Sequence, residues 1–209
     1  MRIAVTNPLT DVSGNQRLRP NYQSNKPQDV LLSPVSPSEL ADFLSLEFCS
    51  DTELLTGYLL AATQACLDYT NIEMLERQWV LKMDRNPERQ AGYLGVGLMH
   101  AYAAWWVQLP VYPVQSIDSV KVAGESVTAR SIDLDSRPAR VEVDESGAIE
   151  ITYTAGHASI QDINPQLLLG IKMLAGYLYD HRGACDVGEA VKASGAAMMW
   201  GNSRMVITL

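Results

Sequence analysis

Cysteine is scarce in this chain: Cys49, Cys66 and Cys185 are three in 209 residues, widely spaced and odd in number. That pattern excludes a disulfide framework and a zinc knuckle, and it fits synthesis in a reducing cytoplasm. Histidine is equally rare, with His100, His157 and His181 isolated from one another. There is no phosphate-cradling P-loop, GxGxxG, CxxC, HExxH or GxSxG nucleophile elbow. Asp162 lies five residues after His157, but a carboxylate just ahead of a helix favours the positive end of the helix dipole, and His181 in a last turn favours the negative end. No catalytic, cofactor or metal residue is therefore expected. No apolar run approaches the roughly 20 residues of a membrane span, and no apolar segment follows Met1-Arg2 as in a secretory leader. Basic charge is also short: 16 Lys and Arg stand against 24 Asp and Glu, for a net charge of −8 and a pI near 4.8. Counterion-release affinity for nucleic acid needs clustered Lys and Arg, so binding of that kind is excluded. Acidic surface secures solubility, and it would also suit a wall past which DNA slides without sticking.

What the chain does contain is a clear anchor from Ile149 to Gly183. Ile149, Ile151 and Tyr153 alternate with Glu150, Thr152 and Thr154, the period of a half-buried strand. Gly156 follows where the chain must turn, because glycine takes positive φ without a side-chain penalty. Asn164 offers a cap oxygen, Pro165 suits the first helical position, and Ile163 with Leu168 has staple spacing. Leu167, Ile171, Leu174 and Leu178 then share one face, widened by Leu168 and Ala175. Gly183 suits the C′ position beyond this helix.

Upstream, residues 1–35 are rich in Asn, Pro, Ser and Gln and read as an extended arm, with one short strand at Ile3–Val5. Ser36-Pro37-Ser38-Glu39 is a complete capping box, with Val35 and Leu40 as its staple, opening a helix that ends near Glu47. Ser50-Asp51-Thr52-Glu53 repeats the box, with Cys49 and Leu54 as staple. The helix it opens runs to about Asn71, with Leu54, Tyr58, Ala61, Ala65 and Tyr69 as its packing stripe. Cys66 on the same helix reads as a small core residue. The period then changes to two: strands are expected at about 76–84, 105–110, 114–122, 127–134, 139–144 and 149–154. Between the first two, residues 85–104 form a glycine-rich apolar excursion that suits a partner surface or local packing. Helices segregated from a run of antiparallel strands make the fold α+β: a helical core with an inserted antiparallel sheet and extended arms at both ends. The tail from Ala184 carries Met198, Met199 and Trp200, then Met205, Val206, Ile207, Thr208 and Leu209. These apolar residues are poor solvent neighbours, and the terminal run suits strand addition to a sheet edge.

Taken together, SPSELADFLSL, TELLTGYLLAATQACLDYTN, ERQWVLKMD, LPVYPVQSIDSVKV and ITYTAGH followed by INPQLLLGIKMLAGYLYDHRG resemble the head–tail connector (adaptor, head-completion) proteins of long-tailed bacteriophages and prophages. The resemblance covers Ser36 to Gly183, about seven-tenths of the chain. It implies a virion protein, made in the host bacterial cytoplasm, that forms a ring of about twelve subunits beneath the portal. That ring would continue the DNA channel and meet the next neck or tail-completion protein. DNA would pass without sequence-specific binding, and no membrane would be involved. The long helix is expected in the ring wall and the C-terminal region at the portal. The long N-terminal arm, the 85–104 excursion and the tail after Gly183 depart from the family pattern. Trp105, Trp106, Met198, Met199, Trp200, Met205, Val206, Ile207 and Leu209 are the candidate interface. Another neck or tail-completion protein is the near alternative. A small-molecule binding module or hydrolase, uniting His157, Asp162 and His181, is the remote one.

Overall fold

The computed structural model describes residues 21–27, 31–46, 51–85, 105–145, 147–181 and 186–205, with β1 and the ends of β2 and β3 described by backbone alone. The fold is α+β, with helices gathered around one apolar core and antiparallel strands around a second. Helix α1 (Pro37–Phe43) opens with the predicted box: the Glu39 N–H donates to Ser36 Oγ at 3.2 Å, and the Ser36 N–H donates to the Glu39 carboxylate at 2.9 Å. That backbone bond holds the Glu39 carboxyl below its ordinary value. Val35 and Leu40 are both buried, as a staple requires.

Helix α2 (Thr52–Thr70) departs from expectation twice. Asp51 holds the N-cap position without a side-chain cap bond, while Ser50 and Cys49 lie outside the described residues. The buried stripe is Leu55, Leu59, Ala62 and Cys66, one residue on from the predicted one; of the predicted residues Ala65 is buried, Leu54 and Ala61 are exposed, and Tyr58 and Tyr69 are half-buried. Both stripes have the same 4-3-4 spacing, so periodicity cannot choose between them. The choice falls to α3 (Pro165–Asp180), which packs along α2. In α3 the Gln166 N–H donates to the Asn164 side chain at 3.0 Å, and Leu167, Ile171, Leu174, Ala175 and Leu178 are buried as predicted.

Strands β1 (Asn21–Pro27), β2 (Arg77–Arg85), β8 (Gly147–Ala155), β4 (Val114–Val122) and β5 (Glu125–Ser126) form one sheet in that order. Strands β3 (Trp105–Gln108), β7 (Arg140–Val143) and β6 (Ser131–Asp133) form another. Trp79, Leu81 and Met83 face Ile149, Ile151 and Tyr153 across β2 and β8. These residues join Val107, Val141 and Val143 of the smaller sheet in the second core. The predicted strand over 127–134 is shortened to β6, and β5 forms ahead of it where a turn was expected; β5 pairs with β4 while β6 pairs with β7, so the chain crosses between sheets in the interval. Strand β1 falls within the region read as an arm; its polar sequence carried no strand period. The expected strand at Ile3–Val5, residues 86–104 of the excursion and Gly183 lie outside the described residues, while Arg85 ends β2.

The tail also differs. Two helices, α4 (Val187–Ala193) and α5 (Ala196–Trp200), dock on the helical core, and Ala190, Val191, Ala196 and Trp200 are buried there. Asp186 caps α4 by accepting from the Gly188 N–H at 2.7 Å.

Two glycines separate cleanly. Gly156 has φ +123°, and a Cβ built on it would stand 2.2 Å from the Leu75 carbonyl oxygen. Gly57, within α2, would meet nothing within 4 Å. Gly156→Ala is expected to lose more than about 2 kcal/mol in urea unfolding, since both conformation and close approach are violated. Gly57→Ala is expected to be neutral or to gain up to about 1 kcal/mol. Equal effects at the two sites would contradict this assignment.

Candidate functional site

The connection from α2 to β2 is where the two cores meet. Asn71 ends α2 in the left-handed region at φ 60°, a conformation asparagine tolerates better than most residues. Glu73 and Arg77 then lie inside the protein, 2% and 6% exposed. Arg77 grips one carboxylate oxygen with Nε at 2.9 Å and Nη2 at 2.6 Å, and its guanidinium lies 5.1 Å from the Trp79 ring centroid. Burial pushes the Glu73 carboxyl up, the nearby guanidinium pulls it down, and the balance lies above the ordinary value. A buried carboxylate is tolerated only with such a partner. The ion pair is therefore part of the frame.

The candidate enzyme residues are held in structural roles. His157 Nδ1 lies 3.2 Å from both the Glu73 and Met74 carbonyl oxygens. His181 Nδ1 lies 3.0 Å from the Tyr177 carbonyl, and the ring stacks on Tyr177 at 4.0 Å. Asp162 precedes α3 and His181 follows it, so sixteen helical residues place them roughly 24 Å apart. The helix keeps this proposed set from converging. Among the described residues there is no group of three or more metal-ligating side chains. Cys66 is buried, and its thiol is pushed up to about 12 by burial, so it is chemically inert.

The predicted interface residues are dispersed. Trp105 pairs through its backbone with Val143 at the margin of the smaller sheet. Trp106 is half-buried, with the Arg140 guanidinium 4.6 Å over its ring. Met198 is 80% exposed on α5, whereas Met199 packs partly into the helical core. Trp200 corrects the expectation: it is wholly buried within the same chain, its Nε1 donating to the Leu167 carbonyl at 3.3 Å and its ring 5.9 Å from that of Tyr69. A Cβ on Gly170 would stand 2.2 Å from Trp200 Nε1, so this mid-helix glycine makes the slot for the indole. That glycine was the missed sequence signal, because an uncapped glycine inside a helix usually has a packing reason. Met205 is tied to the end of α2 by its backbone; Val206, Ile207 and Leu209 lie outside the described residues.

Among the described residues, two grooves open on the surface. One follows the outward face of α2 and is lined by Asp51, Glu53, Leu54, Gly57, Tyr58 and Ala61. The other lies between the last turns of α2 and the strand half, lined by Leu67, Asn71, Trp79, Pro110 and Val111 among others.

No known protein-family profile matches this chain, and no curated protein matches it. Its fold is similar to that of chains in solved gene transfer agent (GTA) particles. A chain in the virion of a native GTA particle aligns with a TM-score of 0.64 and 20% identity, over 88% of this chain and 97% of that one. A chain in the neck of an empty GTA particle, computed with C6 symmetry, gives 0.65 and 22% over the same shares. One in the neck of a native GTA particle, computed with C12 symmetry, gives 0.58 and 20%, again over the same shares. At these identities the likeness establishes a shared fold.

Arg77→Met is expected to cost about 3–5 kcal/mol near pH 7, because Glu73 is left buried without its cation. The folded protein then holds a proton that the unfolded chain releases above its ordinary value of 4.5. Stability should therefore fall as pH rises from there through the raised folded value, making the deficit smaller at pH 5 than at pH 8. Adding Glu73→Gln should recover most of the loss. Urea titrations of the three proteins at two pH values check this; a deficit independent of pH would contradict it.

Proposed function

We propose that this chain is a structural neck protein of a phage-like particle, a ring subunit that joins the portal to the tail side and continues the DNA channel. The observation that carries the reading is the fold likeness to neck chains, which extends over 97% of their length and includes necks computed with C6 and C12 symmetry. A near-complete match of this kind favours a part built on the same plan over a domain borrowed for other chemistry. The net charge of −8 suits a wall that lets DNA pass without adsorbing it. No described helix is long and apolar enough to cross a membrane.

The surfaces available for ring contacts follow from the geometry. Leu54, Gly57, Tyr58 and Ala61 face outward on the long helix, and the open space at Gly57 would let a neighbouring backbone approach closely. Among the members of the predicted interface with described side chains, Met198 on α5 is exposed, while Trp106 on β3, Met199 and Met205 are half-buried. We assign Met198 to the portal side, since burial of Trp200 fixes α5 rigidly and presents Met198 outward from it. Removing residues 195–209 would therefore withdraw Trp200 from the core as well as any portal contact, so a point substitution is the cleaner probe.

Particles assembled without this protein should be DNA-filled heads that carry no tails. Met198→Asp should give the same phenotype in part, with at least a tenfold drop in tailed particles by electron microscopy and an unchanged melting temperature of the free protein. Normal numbers of tailed particles in the absence of the protein would contradict the proposal.

A further inference from the structure

Met205 is bound through both of its backbone groups to the end of α2. Its N–H donates to the Thr70 carbonyl at 3.0 Å, and its carbonyl accepts from the Asn71 side-chain amide at 3.2 Å. The Arg204 guanidinium just before it lies 5.3 Å from the Tyr69 ring centroid. A segment held in this way is laid along the surface. Asn71 also belongs to the second groove, whose apolar lining is Leu67, Trp79, Pro110 and Val111. The helix side of that groove runs from Asn71 back to Gln64, with Gln64 donating to Asp68 at 2.8 Å along the rim. That length is about 10 Å at the helical rise. Val206-Ile207-Thr208-Leu209 follows Met205 directly, and four extended residues span about 13 Å. Three of these four are β-branched and three are aliphatic, which suits an extended strip with one side on an apolar floor.

We propose that this groove is the seat of Val206–Leu209 of the same chain, which clasps the end of the long helix to the strand half of the protein. One wall of the groove belongs to α2; the other is Trp79 of β2 with Pro110 and Val111 after β3. An occupant therefore ties the last turns of α2 to the strand half, over the second core to which Leu67, Trp79 and Val111 all belong. The same-chain assignment follows from the anchor: Val206 is one Cα step, about 3.8 Å, beyond a residue already bonded to the groove's edge. A neighbour's segment would have to displace it. The assignment does not depend on ring formation.

The test uses the free, full-length chain with Cys49→Ser and Cys185→Ser. Cys66 is retained because it is buried and inert. Asp68→Cys is paired with Ile207→Cys in one variant and with Leu209→Cys in a second, each oxidised at low concentration and mapped by peptide mass spectrometry. The expected result is a disulfide within one chain, at majority yield in at least one variant. Cross-links found only between chains, or no cross-link in either variant, would overturn the proposal. Separately, ending the chain at Met205 should lower the melting temperature by roughly 3–6 °C; an unchanged value would overturn it too. Neither readout depends on whether the chain forms a ring, so failure here leaves the neck assignment standing, and the reverse.

Discussion

The buried pair of Glu73 and Arg77 is the constraint on which the rest of the molecule depends. It lies in the short connection between the long helix and β2 of the five-stranded sheet, and that connection is gripped from two sides. The Glu73 N–H donates to the Tyr112 carbonyl at 2.9 Å, and the Tyr112 N–H donates to the Asn71 carbonyl at 3.0 Å. On the other side the Glu76 N–H donates to the His157 carbonyl at 3.2 Å, and the His157 N–H donates to that of Met74 at 3.3 Å. The loop after β3, the turn after β8 and the helix end thus converge on a few residues. Gly156 lets the turn after β8 come close enough to make its contacts. Two charges withdrawn from water inside this seam are tolerable only while they face each other, which makes the relation between the two cores sensitive to a single side chain.

Much of this fold was legible in the sequence where local chemistry and burial agree. The capping box at Ser36, the Asn164-Pro165 start of α3 and the alternation along β8 each state an element and its buried face together, and each stands as read. Helix α2 was legible as a helix but not in its orientation. Leu54 and Leu55 both begin stripes of helical spacing, and only the position of α3 decides that Leu55 faces inward. The shortening of the expected 127–134 strand to β6 was equally hidden, because moving from one sheet to another leaves no mark on an alternating pattern.

The assembly surface was less legible than the fold. An apolar tail reads in the same way whether it meets a partner or its own core, and Met198 and Trp200 show both outcomes within one helix. Trp200 could have been assigned by asking why Gly170 interrupts a helix of strong formers. The Glu73–Arg77 pair had no such signal: a glutamate and an arginine four residues apart read as an exposed helix pair, and here the chain between them is leaving the helix. The set of His157, Asp162 and His181 is resolved by length alone, since a four-turn helix separates two of its members.

A neck subunit needs a rigid body with outward contacts at defined places, and the arrangement supplies both. The two cores are locked through the seam, α5 is keyed into α3 by an indole, and the long helix leaves an outward face with room at Gly57. The central claim is that this rigid unit closes into a ring at the portal. Native mass spectrometry of the purified protein, alone and mixed with its cognate portal, tests it most directly. The account predicts a closed oligomer of about twelve copies in at least the portal-containing sample; a monomer in both samples would contradict it.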